Sequence, residues 1–378
     1  MHILVTSPIP SHPQNHGNRA RVTALCQALQ NQGAQIHYIY GGLENLPESQ
    51  ELAMRETWDH VYVLPPHKQE ARKKSFKTHH AIDDWYTETV TERALKVLST
   101  WKIDYCIANY VWFSKWLDHV PEGIPKYIDT HDVFGDRHKQ LKADGLPVSW
   151  FHTSPKQEAI ALKRADGIIA IQDQEAQVLR GRSNVPVQTL GHFIEPHFIA
   201  PSQHFKDGKV KVGYIASDNP INQKSLEMLA TEIAKRPALN ARYDFILAGA
   251  ICNSDAADNA VFQKQGFVES MQDFYASVDV VVNPNIGGTG LKIKSVEAMA
   301  YGKALLATRD AMAGIACTQP YHDCKNVAAL MDHLLNLTPQ SDIPAAEAES
   351  IKLIKTYRDQ QKAALKALFP KLFGNTAS

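Results

Sequence analysis

Short, nearly all-apolar runs alternate along this chain with longer segments whose apolar residues fall three and four apart, and that alternation leaves few folds open. Ile3–Thr6, Gln35–Tyr40, Val61–Leu64, Tyr105–Ala108, Lys126–Asp129 and Gly167–Ile171 read as strands. Between them Arg19–Gln32, a segment near 83–100, Ser154–Ala165 and a segment from Asp173 read as helices, the first closed by Gly33 as a C-cap. Strands that are apolar on both faces need covering on both, and helical crossovers between parallel strands supply that cover.

The alternation lapses over 191–208, where Pro196, Pro201, Asp207 and Gly208 read as a linker. It resumes with strands over Lys209–Ile215, Tyr243–Gly249, Val278–Asn283 and Ala304–Thr308, separated by helices near 225–235, 271–276 and 295–301. A chain of 378 residues exceeds one ordinary core. The expected fold is therefore α/β, two Rossmann-like doubly wound domains facing across a cleft. The N-terminal domain is expected over 1–200 and the C-terminal one over 208–345, with a final helix over 351–374 joining the first. Ligands of such folds gather at the carboxyl ends of the strands.

Forty basic residues balance forty acidic ones, which removes the broad positive field of a nucleic-acid-gripping protein. Cys26, Cys106, Cys252, Cys317 and Cys324 are scattered without zinc-site spacing or disulfide density, which fits a reducing compartment. The start, Met1–Pro8, has no basic n-region, and no run approaches about eighteen apolar residues, so a cytoplasmic location is expected.

The chemistry concentrates in Val280–Thr308, which reads strand, glycine loop, helix, strand. Gly287, Gly288 and Gly290 permit a tight loop, and the helix after it aims free N–H groups and its positive end at that loop. Lys292 and Lys294 would add ammonium groups beside a bound anion, while Glu297 can accept hydrogen bonds from vicinal hydroxyls. Phosphate plus ribose is the economical ligand. The plainer alternative is a loop shaped by glycine, with Glu297 and the lysines solvated.

The same string resembles the C-terminal half of the donor-site motif of GT-B glycosyltransferases, in particular the retaining enzymes of family 4, also called group 1. There a Glu, seven residues and a second Glu precede Ala-Met-Ala-x-Gly. The resemblance implies that Glu297 holds the ribose of a nucleotide. The first motif Glu falls on Thr289, a departure that Thr289 and the Gly288 and Gly290 amides would have to make good. Lys294 stands where related sequences commonly carry a basic residue and is expected at the diphosphate. Lys211–Ser217 resembles the first donor-domain strand, with Ser217 in the place of an Arg and Lys224 matching a phosphate-contacting Lys, or else solvated at a helix start. Gly266–Ser270, followed by Asp273, Tyr275 and Asp279, resembles the segment that brackets the base, through the main chain of Val268.

In the first half, His131 directly follows an apolar strand, where a His can donate to or accept from a sugar hydroxyl or phosphate. The family places a His at the donor sugar from an equivalent strand end. Asp132 either faces the acceptor or caps the next helix. The loop Ser7–Arg19 resembles the glycine-bearing loop over donor phosphate and acceptor, with Gly17 the candidate glycine. Arg19 and Arg21 are candidates for a phosphate of donor or lipid-linked acceptor, against an ordinary solvated helix start. The basic cluster His67–His80 is either a solvated face or a contact with an anionic membrane surface. Trp85 and Tyr86 either stack on an acceptor sugar or pack in the core, and Trp112, Phe113 and Trp116 are expected in the core.

The resemblance implies transfer of a sugar, with retention, from a nucleotide-sugar carrying UDP or GDP to a glycan, lipid-linked or other hydroxyl acceptor. The setting would be surface polysaccharide or glycoconjugate biosynthesis, with no obligatory cofactor and no metal. A nucleotide-sugar epimerase and a catalytically silent sugar-nucleotide-binding subunit remain the alternatives.

Overall fold

The computed structural model describes residues 1–14, 16–66, 74–148, 150–201, 205 and 208–374. The chain divides into two compact units, one formed by 1–143, 148–193 and 361–378, the other by 144–147 and 194–360.

In the first unit, β1 (His2–Ser7), β2 (Gln35–Tyr40), β3 (His60–Val63), β4 (Tyr105–Asn109), β5 (Lys126–Asp129), β6 (Gly167–Ala170) and β7 (Val187–Thr189) form one sheet in the order β3-β2-β1-β4-β5-β6-β7. All its pairings are parallel. The crossovers include α1 (Gly17–Gln30), α2 (Glu48–Thr57), α3 (Glu88–Thr100), α4 (Arg137–Ala143), α5 (Pro155–Leu162) and α6 (Asp173–Arg180). Strand order reverses between β1 and β4, and the β4–β5 register sets Asn109 beside Asp129 at the carboxyl ends. The two-residue period sends Leu4, Cys106 and Ile128 into one core, and Ile3, Val5, Ile36 and Ile107 into the other.

The second unit carries β8 (Val210–Ile215), β9 (Tyr243–Ala248), β10 (Phe262–Gly266), β11 (Val280–Asn283) and β12 (Ala304–Ala307), parallel in the order β10-β9-β8-β11-β12. Its helices are α7 (Pro220–Ala234), α8 (Pro237–Arg242), α9 (Met271–Ser277), α10 (Ile293–Ala300) and α11 (Val327–Asn336), followed by most of α12 (Pro339–Leu368). The order reverses between β8 and β11, again leaving a switch point at the carboxyl ends.

The chain rejoins the first unit at Gln361, later than the expected 351. The reason is apolar spacing along α12: Ile343 and Ala346 pack in the second core, whereas Ala364, Leu365 and Leu368 pack in the first. Strands β7 and β10 and helices α2, α8 and α11 were not expected. β7 is three residues long, β10 places exposed Gln263–Gln265 between its apolar ends, and α2 buries only Met54.

Among the described residues, no helix is long and apolar enough to cross a membrane. All five cysteines are free thiols. Part of the basic cluster, 67–73, lies outside the described residues; in the remainder Phe76 is exposed and stacks on His79 at 4.7 Å.

Candidate functional site

In the second unit the carboxyl end of β11 runs into the glycine loop and then α10. Positive φ values of 70°, 76° and 78° at Gly287, Gly288 and Gly290 are left-handed positions that suit only glycine without strain. At Gly288 a Cβ would also meet Ile221 Cδ1 at 2.9 Å. The loop is anchored by Gly287 N–H donating to Asp310 Oδ2 at 2.7 Å. Ser295 Oγ, accepting from Asn283 Nδ2 and donating to Ala311 O, both at 2.7 Å, ties α10 to β11. No side chain caps α10, and the N–H groups of Gly288 and Thr289 have no partner among the described residues. The Thr289 hydroxyl is sealed from solvent and likewise unpartnered. This is an anion-accepting geometry with unspent donors.

Lys294 and Glu297 share a face of α10, three residues apart, and both are half-buried. The Lys294 ammonium donates to Asn222 Oδ1 at 2.7 Å and Asn285 Oδ1 at 2.6 Å, with the Tyr214 hydroxyl at 3.4 Å. Burial, reinforced by the neighbouring Lys292 cation and opposed by Glu297, lowers its pKa to about 7. The Glu297 carboxylate makes no hydrogen bond or ion pair among the described residues; of this residue the main-chain carbonyl alone accepts, from Tyr301 N–H. Burial, opposed by Lys294, raises its pKa to about 7. Its neighbours Tyr275 and Tyr301 stack at 4.6 Å, and the buried Tyr275 hydroxyl is unpartnered. Lys292 folds back onto the Thr289 and Gly290 carbonyls at 2.9 and 3.1 Å.

Val268 lies between β10 and α9, and its N–H and C=O have no hydrogen-bond partner among the described residues. Ser217, at the end of β8, is used by Asn219 and Asn222. Lys224 on α7 donates to the Asp144 carbonyl at 2.5 Å, in the short segment that packs with this unit, so it is not a solvated helix residue.

In the first unit His131 adopts a left-handed backbone, φ 58°, unusual for a non-glycine residue. The loop is held there by Glu158 Oε1, which accepts from Phe134 and Gly135 N–H, and by Thr130 N–H donating to Ile169 O at 3.0 Å. The His131 ring stacks on Tyr110 at 4.2 Å, with Nε2 2.8 Å from Asn109 Oδ1 and 3.5 Å from Asp129 Oδ2. Burial lowers its pKa to about 4, opposed by Asp129 and aided by Arg21. Asp132 accepts from its neighbour Val133 N–H and pairs with Arg137 at 3.2 Å; it does not cap the following helix. Gly17 is the exposed first residue of α1, in whose first turn Asn18 Oδ1 accepts from Arg19 N–H at 2.9 Å.

Two expectations need correction in the first unit. Arg19 is buried and bound to Glu44, and Arg21 places its guanidinium on Asp129 while donating to Leu190 and Gly191 carbonyls, both at 3.0 Å. Neither is a solvated helix-start arginine, and Arg21 has no donor fork left for a phosphate. Trp85 is equally committed. It is 5% exposed and meets Trp112, Trp150 and Phe151 edge-on at 5.6, 5.4 and 5.6 Å, so an acceptor sugar would find no open face. Trp112, Phe113 and Trp116 lie in the same core.

Sequence reasoning missed Asn109, Tyr110, Tyr214, Asn222 and Asn285 as partners of the site residues. The available signal was position: Asn109 ends, and Tyr110 and Asn285 follow, apolar strands that flank the order reversals.

The fold is that of the GT-B type, two Rossmann-like units each built on a parallel sheet. Residues 209–338 match the family described as glycosyl transferases group 1, about a third of the chain and the whole of the glycine-loop region. Over its full length the chain is similar in fold to sucrose-phosphate synthase from Thermosynechococcus elongatus, at 14% identity and TM-score 0.66, covering 99% of this chain and 100% of that one. It is likewise similar to Anabaena Alr3699/HepE in complex with UDP and glucose, at 15% identity and TM-score 0.62, covering 97% and 100% of the two chains. A trehalose-6-phosphate structure from E. coli bound with UDP-2-fluoro glucose aligns at 12% identity and TM-score 0.64, covering 99% of each. No curated protein sequence matches the chain.

Proposed function

We propose that this chain transfers a sugar, with retention of configuration, from a nucleotide-sugar to a hydroxyl of a glycan or lipid-linked acceptor, in the building of a surface polysaccharide or glycoconjugate. The observation that carries this reading is the Glu297 carboxylate, half-buried without a protein donor, on the helix that follows the unspent Gly288 and Thr289 amides. A carboxylate kept in such a place is an acceptor for the two ribose hydroxyls. The loop amides and the positive end of α10 suit the diphosphate. Lys294, its donors resting on Asn222 and Asn285, offsets charge developing on the leaving group. Lys224 would add charge there after releasing the Asp144 carbonyl, and the free main chain of Val268 suits the base.

His131 is our candidate for the group that touches the donor sugar, and Gly17, at the start of α1, for the phosphate-facing loop. UDP is the favoured nucleotide, because two of the similar structures hold UDP or a UDP-sugar. Catalysis then rests on positioning and fixed charge, with no obligatory cofactor.

Thr289, in the place of the first motif Glu, favours a second reading, a subunit that binds a sugar nucleotide without turning it over. A thermal-shift screen of UDP, GDP, ADP and CMP sugars, repeated with Glu297→Ala, tests the first part of the proposal, since a ligand of the folded state raises its melting temperature. Stabilisation by one nucleotide class that vanishes in Glu297→Ala supports it; equal stabilisation of both proteins contradicts it.

A further inference from the structure

We infer that Asn109 is a positioning residue that locks His131 in the Nε2–H tautomer, so that neutral His131 offers the Nδ1 lone pair as acceptor to a hydroxyl of the donor sugar. The inference deepens the reading above and rests on it for the identity of the sugar. The lock is a chain of hydrogen bonds with only one consistent assignment. Asn109 Nδ2 donates to the Thr6 carbonyl at 3.0 Å, and a carbonyl can only accept. The Asn109 amide is thereby oriented, and its Oδ1, 2.8 Å from His131 Nε2, must be the acceptor there. The second neighbour of Nε2, Asp129 Oδ2 at 3.5 Å, is also an acceptor. Two acceptors at one nitrogen place the proton on Nε2.

The opposite nitrogen has no partner among the described residues and is not sealed from solvent, so Nδ1 is left open to a ligand. Neutrality follows from the charges around the ring. Asp129, on β5, favours the imidazolium, but its carboxylate is already held by Arg21, on α1, through Nε at 3.1 and 3.0 Å. Burial and the Arg21 cation together keep the ring uncharged, and Tyr110, stacked on its face, adds no charge at neutral pH. Asn rather than Asp at 109 is what this design requires. A carboxylate there would accept the same proton, and would also draw a second one onto Nδ1, closing the acceptor.

The test is a two-bond nitrogen–proton spectrum of the histidine rings in full-length protein, with His131 assigned by the signal lost in His131→Gln. The expected spectrum shows an Nε2–H ring with a bare Nδ1 at neutral pH, whose Nδ1 signal moves when the UDP-sugar selected by thermal shift is added but not with UDP alone. In Asn109→Asp the ring should carry both protons at neutral pH. Transfer should fall roughly tenfold to a hundredfold in kcat, with UDP affinity unchanged and partial recovery as pH is raised. Should Asn109→Asp fail to fold, Asn109→Leu keeps the shape but removes the acceptor, and an Nδ1–H population should then appear; an unchanged pure Nε2–H ring would overturn the lock. An Nδ1–H ring in the parent protein would overturn the inference, as would parental kcat in Asn109→Asp. Failure of the donor-site reading would show separately, as UDP binding that survives Glu297→Ala.

Discussion

Glu297→Gln should make the protein more stable and bind its nucleotide less well, an opposition expected only of a residue kept for function. The folded state holds the Glu297 carboxyl at a pKa of about 7 against an ordinary value of 4.5, chiefly through burial. A raised carboxyl pKa means that the fold prefers the neutral form. The destabilisation is therefore absent below about pH 4.5, grows as pH rises to about 7 and is constant above. At about 1.4 kcal/mol per pH unit, the ceiling is on the order of 3 kcal/mol. That ceiling already includes the attraction of Lys294, and because Glu297 is only half-buried, solvent screening reduces the expected gain to ~1–2 kcal/mol. That corresponds to a melting temperature raised by a few degrees at pH 8 and unchanged near pH 4. Loss of a charged acceptor should meanwhile cost about 1.5 kcal/mol or more in nucleotide affinity, roughly tenfold in Kd. Calorimetric melting at both pH values and titration with UDP read the two effects. A lowered melting temperature at pH 8 with unchanged Kd would refute the reasoning and make Glu297 a structural residue.

His131→Ala should lower kcat and kcat/KM together, on the order of a hundredfold, while UDP affinity stays near parental; unchanged turnover in folded protein would remove His131 from the reaction. Arg21→Met should destabilise by about 3–5 kcal/mol, because it strands Asp129 as a buried charge, and a melting temperature equal to the parent's would contradict that pairing. Trp85→Ala should cost about 3–5 kcal/mol of stability without raising acceptor KM in the folded fraction; a raised KM at unchanged stability would instead restore Trp85 as an acceptor platform. Burial and the neighbouring His60 and His2 hold His37 at about 4 against 6.5, with Asp59 opposing, so stability present above pH 6.5 should be lost as pH falls toward 4. His37→Gln should flatten that loss, as urea titrations across the range would show.

The doubly wound halves were legible because buried parallel strands such as Ile3–Thr6 and Val280–Asn283 must be apolar on both faces, and little else produces that pattern at such regular spacing. β10 escaped because an edge strand needs no second apolar face, and its Gln263, Lys264 and Gln265 look like loop. The glycine loop was legible through local constraint: positive φ at Gly287, Gly288 and Gly290 demands a residue type. What holds Lys294 and His131 was not. Asn222, Asn285 and Asn109 reach them from other strands and helices, and a side-chain amide at a strand end carries no local signature of its partner. Arg19, Arg21 and Trp85 misled for the same reason. Glu44, Asp129 and the Trp112 cluster that absorb them are distant in sequence.

Mass analysis of the products formed from the UDP-sugar that thermal shift selects, with and without a pool of hydroxyl acceptors, tests the central claim most directly. The account predicts acceptor-dependent release of UDP and an acceptor heavier by one glycosyl residue, both lost in Glu297→Ala. An altered nucleotide-sugar formed without acceptor would make the chain an epimerase, and tight binding with no turnover across all acceptors would contradict transfer.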